Sequence, residues 1–213
     1  MNILLIGDSG HAKVIADIVN SSGNKVVAKL DDKYAELFKE DGCWFGPVSE
    51  VSNLIEKEQA KVIVAIGANS VRRKIVERLA LNADQYATAI HKDAIVSPSA
   101  VIGHGTVVMP GAVINAAAIV GDHAIINSRS VVEHDCVVGD YVHVSPGATV
   151  AGVAKLGEGV LIEAGASVTA TKEIGRWSVV RAGSAVMGNI GEYTTVMGVP
   201  AREVTSEANE LKL

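Results

Sequence analysis

The chain has 213 residues and a formal net charge of −5. This balance, without any run of Lys or Arg, argues against a nucleic-acid partner, and no apolar run approaches the roughly 18 residues of a membrane span. Two cysteines, Cys43 and Cys136, are too few for a disulfide framework. The chain opens directly into a folded pattern at Met1, without the basic segment of a signal peptide. We therefore expect a cytoplasmic protein of one or two domains, with neither nucleic-acid nor membrane partners.

The first part of the chain alternates short apolar runs with helical patterns. Apolar runs that end at glycine or aspartate are typical of buried parallel strands, and the spacing of Val14, Ile15 and Ile18 is typical of a helix face. The pattern predicts strands at 2–6, 25–30 and 61–66, a possible last strand at 85–90, and helices at 13–20 and 70–81, the second with Ser70 as its N-cap. Strands that alternate with helices indicate a Rossmann-like parallel α/β domain, which we place at residues 1–91.

Glycines and carboxylates follow the predicted strands, at the edge where such sheets bind ligands. Gly7-x-x-Gly10 precedes the first helix, where glycine lets the backbone approach an anion. Asp31-Asp32 follows the second strand. The glycine spacing is not the complete Gly-x-Gly-x-x-Gly of dinucleotide sites. The residues alone therefore leave two interpretations open: a nucleotide site, or turn glycines and strand-end carboxylates without a ligand.

Residues 94–189 repeat a six-residue unit sixteen times without interruption. The first place of the unit is small in most copies, as at Ala94, Ala112 and Ser130. The third place is always aliphatic, and it holds Val96, Ile102, Val108, Ile114, Val120, Ile126, Val132, Val138, Val144, Val150, Leu156, Ile162, Val168, Ile174, Val180 and Val186. Glycine recurs with a longer period of eighteen at Gly103, Gly121, Gly139, Gly157 and Gly175.

Both periods indicate a parallel β-helix in which each unit is a short strand and a turn. Three units close one coil, so that residue n stacks on residue n+18 at about one strand spacing, roughly 4.8 Å. The aliphatic third place points inward, and the small first place fits the tight corners. We place this β-helix at residues 92–189 and a C-terminal tail at 190–213, with the charged end at 205–213 frayed.

One corner of the repeat breaks the small-or-aliphatic rule with Glu133-His134-Asp135. Histidine is the commonest general base near neutral pH, and a neighbouring carboxylate orients the ring and raises its basicity. We therefore predict that His134 and Asp135 are catalytic. The alternative is a solvated histidine in a turn.

Stacking by eighteen places Gly152, Ala170 and Gly188 in the same corner column as His134. A column without side chains suits the floor of a groove for an extended thioester arm. We predict that the Gly152 N–H faces the thioester oxygen as an oxyanion donor. A second small column holds Pro146, Ala164 and Ala182. The alternative is that corners are small everywhere.

Three motifs together give the sequence a resemblance to a known family. Gly-x-x-Gly-His-Ala-Lys-Val lies at the start, the hexapeptide repeat with His134-Asp135-Cys136 follows, and Gly198-Val199-Pro200-Ala201 lies near the end. In this combination the chain resembles the PglD/NeuD-type hexapeptide-repeat sugar acyltransferases. The resemblance implies a left-handed coil, a homotrimer, and transfer of acetyl from acetyl-CoA to a nucleotide-linked or sialic sugar.

The resemblance also implies roles for individual residues. It places Ser9, Gly10, His11, Asp31, Asp32 and Gly46 on the UDP-sugar. It places His143, Ala164 and Ala182 on the acetyl-CoA side, together with Gly152, and makes His134 the base supported by Asp135. Relatives carry small residues where Asp8 stands, so a phosphate contact at Asp8 does not follow from the resemblance.

The function that we expect is an acetyl-CoA-dependent N-acetyltransferase acting on a UDP-linked 4-amino-4,6-dideoxyhexose for exopolysaccharide or surface glycan synthesis. O-acetylation of a sialic-type sugar is the first alternative, and a non-catalytic or metal-binding β-helix trimer is the second.

Two other chemistries are weaker. A metal site would use His104, His123, His134 and His143, but these occupy different places of the coil and form no His-x4-His pair, so we expect no metal. Cys136 occupies the small inward place, where we expect it to pack rather than react.

Overall fold

The first domain is built on a five-stranded sheet in the computed structural model of the chain, which describes residues 1–204. Its strands are β1 (Asn2–Ile6), β2 (Lys25–Leu30), β3 (Phe38–Glu40), β4 (Cys43–Gly46) and β5 (Ala60–Val64), in the spatial order β3-β4-β2-β1-β5. Neighbours are parallel except β3 and β4. Leu4 and Leu5 of β1 are fully buried because apolar clusters cover both faces of the sheet.

The helices of this domain are α1 (Gly10–Ser21), α2 (Val51–Glu58) and α3 (Asn69–Leu79), with 3-10 turns at Val48–Glu50 and Ala83–Gln85. Helix α1 begins earlier than the predicted residue 13 because Ser9 is extended and its carbonyl accepts a hydrogen bond from the Lys13 N–H. The N-cap of α3 is Ala68 rather than the predicted Ser70, so Asn69 already lies in the first turn. The helix ends where Ala80 turns left-handed at a φ of 48°.

The β3–β4 hairpin and α2 are absent from the sequence-based prediction. The signal for the hairpin is Asp41-Gly42, whose φ angles of 47° and 81° are those of a two-residue primed turn. The strands on either side are only three and four residues long, and strands this short carry no period that a pattern search detects.

The remaining described strands form three parallel sheets around one β-helix, as the hexapeptide repeat predicts. The domain-facing sheet contains Ala89–Ile90, Val107–Val108, Ile125–Ile126, His143–Val144, Leu161–Ile162, Val179–Val180 and Thr195–Met197, with Arg202–Glu203 added antiparallel. The second sheet contains Ile95–Val96, Val113–Ile114, Val131–Val132, Thr149–Val150, Ser167–Val168 and Ala185–Val186. The third sheet contains Val101–Ile102, Ile119–Val120, Val137–Val138, Lys155–Leu156 and Glu173–Ile174.

The registry between coils confirms the eighteen-residue period. Val113 pairs with Val131 and Val131 with Thr149, so each strand lies beside its equivalent in the next coil. The second residue of each strand points inward, and Ile114, Val132 and Val150 are all 0% exposed. These side chains form one continuous apolar cluster along the axis.

The recurring glycines have a steric cause. A Cβ added at Gly139 would lie 2.8 Å from the backbone nitrogen of Glu158, and one added at Gly157 would lie 2.6 Å from that of Arg176. Successive coils therefore approach too closely at this corner for any side chain.

The two ends of the β-helix differ from the sequence-based elements. Of the strand predicted at 85–90, Ala89–Ile90 is a strand, and it pairs with Val107–Val108 as the first rung of the domain-facing sheet. Beyond Asn189, Thr195–Met197 pairs with Val179–Val180 and buries Val196 in the core, so the coil extends into the predicted tail. The residues predicted to be frayed, 205–213, lie outside the described part of the chain, and the domain boundaries at 91 and 189 remain predictions.

The two parts of the chain share an apolar junction. Val107, Met109 and Ile125 of the β-helix pack in one buried cluster with Ile15 and Ile18 of α1. The first coils of the domain-facing sheet are therefore covered by the α/β domain. Within residues 1–204, no helix is both long and apolar enough to cross a membrane.

The inward stack predicts a strong difference between neighbouring residues of one strand. We expect Ile114→Ala to lower the free energy of unfolding by about 2–5 kcal/mol, because the cavity would lie in a fully packed column. The partly exposed Val113 on the same strand provides the control, and Val113→Ala should cost clearly less. Urea unfolding of both variants measures the difference, and equal losses would contradict the inward orientation of the second residue.

Candidate active site

His134 and Asp135 form a hydrogen-bonded pair at the corner that follows the second sheet. The His134 Nδ1–H donates to Asp135 Oδ2 at 2.7 Å, and both side chains are more than half exposed. Asp135 has a φ of 58°, a left-handed conformation that aspartate and asparagine tolerate better than most residues. This corner turns the carboxylate back onto the ring and leaves Nε2 as the nitrogen available for other chemistry.

Gly152 lies beside the His134 ring, as the eighteen-residue spacing predicts. A Cβ added at Gly152 would lie 2.7 Å from His134 Nε2 and 2.8 Å from Cε1. The Gly152 carbonyl accepts a hydrogen bond from the Thr171 N–H, whereas its own N–H makes no backbone hydrogen bond within residues 1–204. A free N–H and a basic nitrogen therefore stand side by side on adjacent coils.

The carboxyl edge of the five-stranded sheet brings together the residues predicted to contact the nucleotide sugar. Ser9 occupies the N-cap position of α1 without a side-chain capping hydrogen bond, Gly10 begins the helix, and His11 lies half-buried in its first turn. The Asp31 N–H donates to the Gly46 carbonyl at 2.9 Å, so that β2 and β4 end side by side. A Cβ added at Gly10 would meet nothing within 4 Å, which leaves the space in front of the helix open.

Asp8 is surrounded by donors at this edge. Its carboxylate accepts hydrogen bonds from Lys33 Nζ at 2.9 Å and from Tyr34 Oη at 2.6 Å, and Lys29 Nζ lies 3.3 Å away. Burial alone would raise the pKa of Asp8, but the hydrogen bonds from Tyr34, Lys33 and Lys29 lower it to about 2. The two positive charges of Lys29 and Lys33 exceed the single negative charge of Asp8, so Asp8 does not cause this loop to repel an anion.

Asp31 and Asp32 are both held by neighbouring groups. Asp31 Oδ2 accepts the Asp8 N–H at 2.9 Å, which ties the first two loops together. Asp32 accepts the Val48 N–H and an Arg78 guanidinium N–H, each at 3.0 Å, and these contacts, the Val48 hydrogen bond foremost, lower its pKa. Arg78, Asp32 and Val48 line a cleft of about 320 Å³.

Gly46 has a packing role in addition to the predicted substrate contact. It is buried, and a Cβ added there would lie 2.8 Å from the Leu37 side chain. A packing requirement therefore accounts for this glycine without a ligand.

A larger cleft of about 640 Å³ runs between α3 and the domain-facing sheet. It is lined by three of the four residues predicted to contact acetyl-CoA, His143, Ala164 and Ala182, and by Asn69 and Trp177 among others. The fourth residue, Gly152, does not line this cleft and stays with His134 at another corner of the coil. Within a single chain, the His134–Asp135 pair and the His143 cleft therefore lie at different corners of the coil.

The His143 ring is fixed by its neighbours. The Asn127 Nδ2–H donates to His143 Nε2 at 2.9 Å. The Ser128 N–H donates to the side-chain oxygen Oδ1 of Asn127 at 2.8 Å, which sets the orientation of the amide. Burial lowers the pKa of His143 to about 4, and positive charge on Arg72 and His11 adds to this shift. The ring is therefore neutral at physiological pH.

The structure adds residues that the sequence reasoning missed. Arg72 and Asn69 of α3 reach from the first domain to backbone carbonyls of the β-helix, and Asn127 orients His143. The pKa of His11 is also lowered to about 4, first by burial and then by the positive charge of Arg72. Single polar residues that bond to distant backbone leave no period or motif in the sequence.

The residues considered for other chemistries have structural surroundings of their own. His123 is 5% exposed and lies between the rings of Tyr86 and Tyr141, and its backbone N–H donates to the His104 carbonyl. Within residues 1–204, no three His, Cys, Asp or Glu side chains are grouped so that they could hold a metal ion. Cys136 is fully buried beside the Ala151 carbonyl, and burial raises its pKa, which disfavours a reactive thiolate.

Comparison with protein-family models identifies both parts of the chain. The model of the PglD N-terminal domain matches residues 2–79, and the model of the bacterial transferase hexapeptide (six repeats) matches residues 117–152. The UDP-N-acetylbacillosamine N-acetyltransferase of Bacillus subtilis is 46% identical over 113 residues, which are 51% of this chain and 51% of that protein. The match therefore spans about half the length of this curated relative.

Solved structures match over nearly the whole chain. A histidine variant of perosamine N-acetyltransferase from Caulobacter crescentus, in complex with CoA and GDP-perosamine, is 33% identical with a TM-score of 0.89, covering 97% of this chain and 98% of that one. The acetyltransferase domain of PglB from Neisseria gonorrhoeae, in complex with acetyl coenzyme A, is 34% identical with a TM-score of 0.85, covering 95% and 98%.

The buried histidines predict a loss of stability in acid. Burial depresses the pKa of His11, His123 and His143 to about 4, while in the unfolded chain each would titrate near 6.5. Between these values the unfolded state binds more protons, so stability falls as the pH drops from about 6.5 to about 4, by at most about 1.4 kcal/mol per pH unit for each ring.

We expect His123→Phe to make this decline shallower, because it removes one titrating ring and keeps an aromatic ring between Tyr86 and Tyr141. Urea unfolding at several pH values between 7 and 4 measures the slope, with the exposed His104→Ala as control. If the slopes of His123→Phe and wild type coincided, the buried His123 would not be a source of the acid sensitivity.

Proposed function

The chain belongs to the family of PglD-like hexapeptide-repeat sugar N-acetyltransferases, and on that premise we propose that it transfers acetyl from acetyl-CoA to an amino group of a nucleotide-linked sugar. The observation that carries the proposal is the His134–Asp135 pair beside the bare Gly152 corner. The exposed Nε2 is free to take a proton, and the neighbouring coil offers a backbone N–H. General base and oxyanion donor are what acyl transfer from a thioester needs.

The mechanism is direct transfer between two bound substrates. The sugar amine attacks the thioester carbonyl carbon, the C–N bond forms, and His134 Nε2 takes the proton that the nitrogen loses. Asp135 holds the Nδ1–H and stabilises the imidazolium that results. The Gly152 N–H donates to the oxyanion of the tetrahedral intermediate. The C–S bond then breaks, and the CoA thiolate leaves with a proton returned from His134.

The α/β domain is proposed to hold the nucleotide of the acceptor. Ser9, Gly10 and His11 open onto the carboxyl edge of the sheet, and Lys33 is half exposed beside them. Asp31 and Asp32 fix the loops that frame this space through the Asp8 and Val48 N–H groups. We assign the acceptor as a UDP-linked 4-amino-4,6-dideoxyhexose, following the N-acetyltransferase that matches in sequence.

We further propose that the working enzyme is a homotrimer. The His134 corner and the cleft of His143, Ala164 and Ala182 belong to different corners of the coil, so the two halves of the site meet only if a second copy brings its cleft to the first copy's His134. The exposed apolar ladder of Val101 and Ile119 on the third sheet supplies contact surface for such an assembly. Acetyl-CoA and nucleotide sugars are cytoplasmic compounds, so we place the reaction there, in exopolysaccharide or surface glycan synthesis.

Substitution at the His134 corner tests the proposed chemistry. We expect His134→Ala to lower kcat by roughly 10²–10⁴-fold, the range for loss of a general base, with CoA affinity unchanged by calorimetry. Asp135→Asn should lose less, because asparagine still accepts the Nδ1–H and tolerates the left-handed φ. The exposed His104→Ala is the matched control and should keep full turnover. Wild-type turnover in His134→Ala would exclude this histidine as the base.

A panel of acceptors tests the substrate class. The purified protein is incubated with acetyl-CoA and UDP-, GDP- or dTDP-linked 4-amino sugars, their 4-hydroxy counterparts, or free sialic acid, and products are identified by mass spectrometry. We expect a mass gain of one acetyl group on UDP-linked amino sugars. Acetylation of sialic acid alone would establish O-transfer instead, and absence of any product together with absence of CoA binding would leave a non-catalytic β-helix.

A further inference from the structure

Arg72 is the largest fully buried polar side chain of the described residues, and it has no role in the chemistry above. The residue is 1% exposed, and its guanidinium makes five hydrogen bonds of 2.8–3.0 Å. The acceptors are the carbonyls of Ile66, Gly67, His123 and Tyr141 and the side-chain oxygen of Asn69. None of them is a carboxylate, so hydrogen bonds rather than an ion pair hold the charge.

The β-helix acceptors follow the eighteen-residue period. His123 and Tyr141 occupy the same corner on successive coils, and neither carbonyl accepts a backbone hydrogen bond within residues 1–204. Arg72 Nε donates to the first and Nη2 to the second, each at 2.8 Å. Asn69 continues the ladder, because its Nδ2 donates to the Gly159 carbonyl of the next coil at 3.1 Å. Two side chains of α3 therefore fix its position along three coils.

The other side of the guanidinium holds the loop of the first domain that borders the large cleft. Nη1 donates to the carbonyls of Ile66 at 2.9 Å and Gly67 at 3.0 Å, directly after β5. Gly67 lines the cleft together with His143. One planar group thus joins the cleft wall of the α/β domain to the coil corner two residues before His143.

Asn127 determines which nitrogen of His143 carries the proton, and Arg72 holds the loop on the other side of the same cleft. The Asn127 amide donates to Nε2, so the neutral ring must be protonated at Nδ1. Gly67 borders the same cleft from the α/β domain, and the position of its carbonyl depends on Arg72. Moving the Gly67 loop would therefore change the cleft beside the His143 ring, while Asn127 kept the tautomer unchanged.

We propose that Arg72 is a positioning residue of the transfer site, which locks the Gly67 loop to the β-helix and thereby fixes the wall of the acetyl-CoA cleft that Gly67 shares with His143. The assignment rests on the proposed function for the role of that cleft. A lysine cannot replace Arg72 in this role, because one ammonium cannot reach acceptors spread across two domains, whereas the guanidinium presents five donors in a fixed plane.

The test compares Arg72→Met and Arg72→Lys with wild type, and uses Lys74→Met as control, since Lys74 is an exposed cation on the same helix. Thermal melting and gel filtration establish folding. Nitrogen-15 NMR of histidine-labelled full-length protein reports the His143 tautomer, and calorimetry with CoA reports affinity. Neither readout needs an active acceptor, so a negative acceptor panel would leave the test of Arg72 intact.

We expect wild type and Lys74→Met to show a neutral His143 protonated at Nδ1. Both Arg72 variants should keep this tautomer, because Asn127 sets it, and should bind CoA at least roughly tenfold more weakly, a loss of about 1.4 kcal/mol. Normal CoA affinity in folded Arg72→Lys would overturn the proposal, because positive charge alone would then suffice. A changed His143 tautomer in that variant would overturn it as well, because the loss would then arise at the ring and not at the cleft wall. If Arg72→Met does not fold, Arg72→Lys decides alone.

Discussion

The hydrogen bonding of each coil to the next is the constraint on which the rest of this molecule depends. Each rung donates its backbone N–H groups to the equivalent rung one coil along, as Val113 does to Ser130 and Val131 to Ala148. Each side chain therefore has the equivalent side chain of the next coil as its neighbour, because the two stack at one strand spacing. An inward position must be aliphatic in every coil, and a close corner must be glycine. The same constraint brings His134 and Gly152 together, because both stand in one column.

The outward face of the domain-facing sheet differs between its first coils and its later coils. The first coils pack against the α/β domain, whereas the later coils line a cleft. Val107 and Ile125 of the first coils are fully buried against α1. From His143 onward, Leu161 and Val179 line an open cleft instead. The α/β domain thus covers only part of the sheet, and the cleft begins where its packing ends. Arg72 and Asn69 lie at this limit, where apolar contact gives way to hydrogen bonds.

The parts of the fold that repeat were predictable from the sequence, and the parts that occur once were not. Sixteen aliphatic residues in register specify the β-helix, because chance does not maintain such a period. His134 was found because it breaks that period. By contrast, the hairpin of β3 and β4 left only Asp41-Gly42 as a signal. The role of Arg72 could not be predicted because four of its five acceptors are backbone carbonyls, which every residue type supplies equally. The separation of His134 from the His143 cleft also required coordinates, since it depends on which corner opens beside α3.

The glycine column that lets successive coils approach also limits how the length of such a chain can change. Gly139 and Gly157 tolerate no side chain because the backbone of the following coil lies against them. Removing one six-residue unit between His134 and Gly152 would shift every later residue by one corner. Side chains would then stand where glycine is required, and Gly152 would no longer lie beside His134. Removing three units would return every residue to its own column. Insertions and deletions in this lineage are therefore expected to accumulate in whole coils, so that chain length evolves in discrete steps.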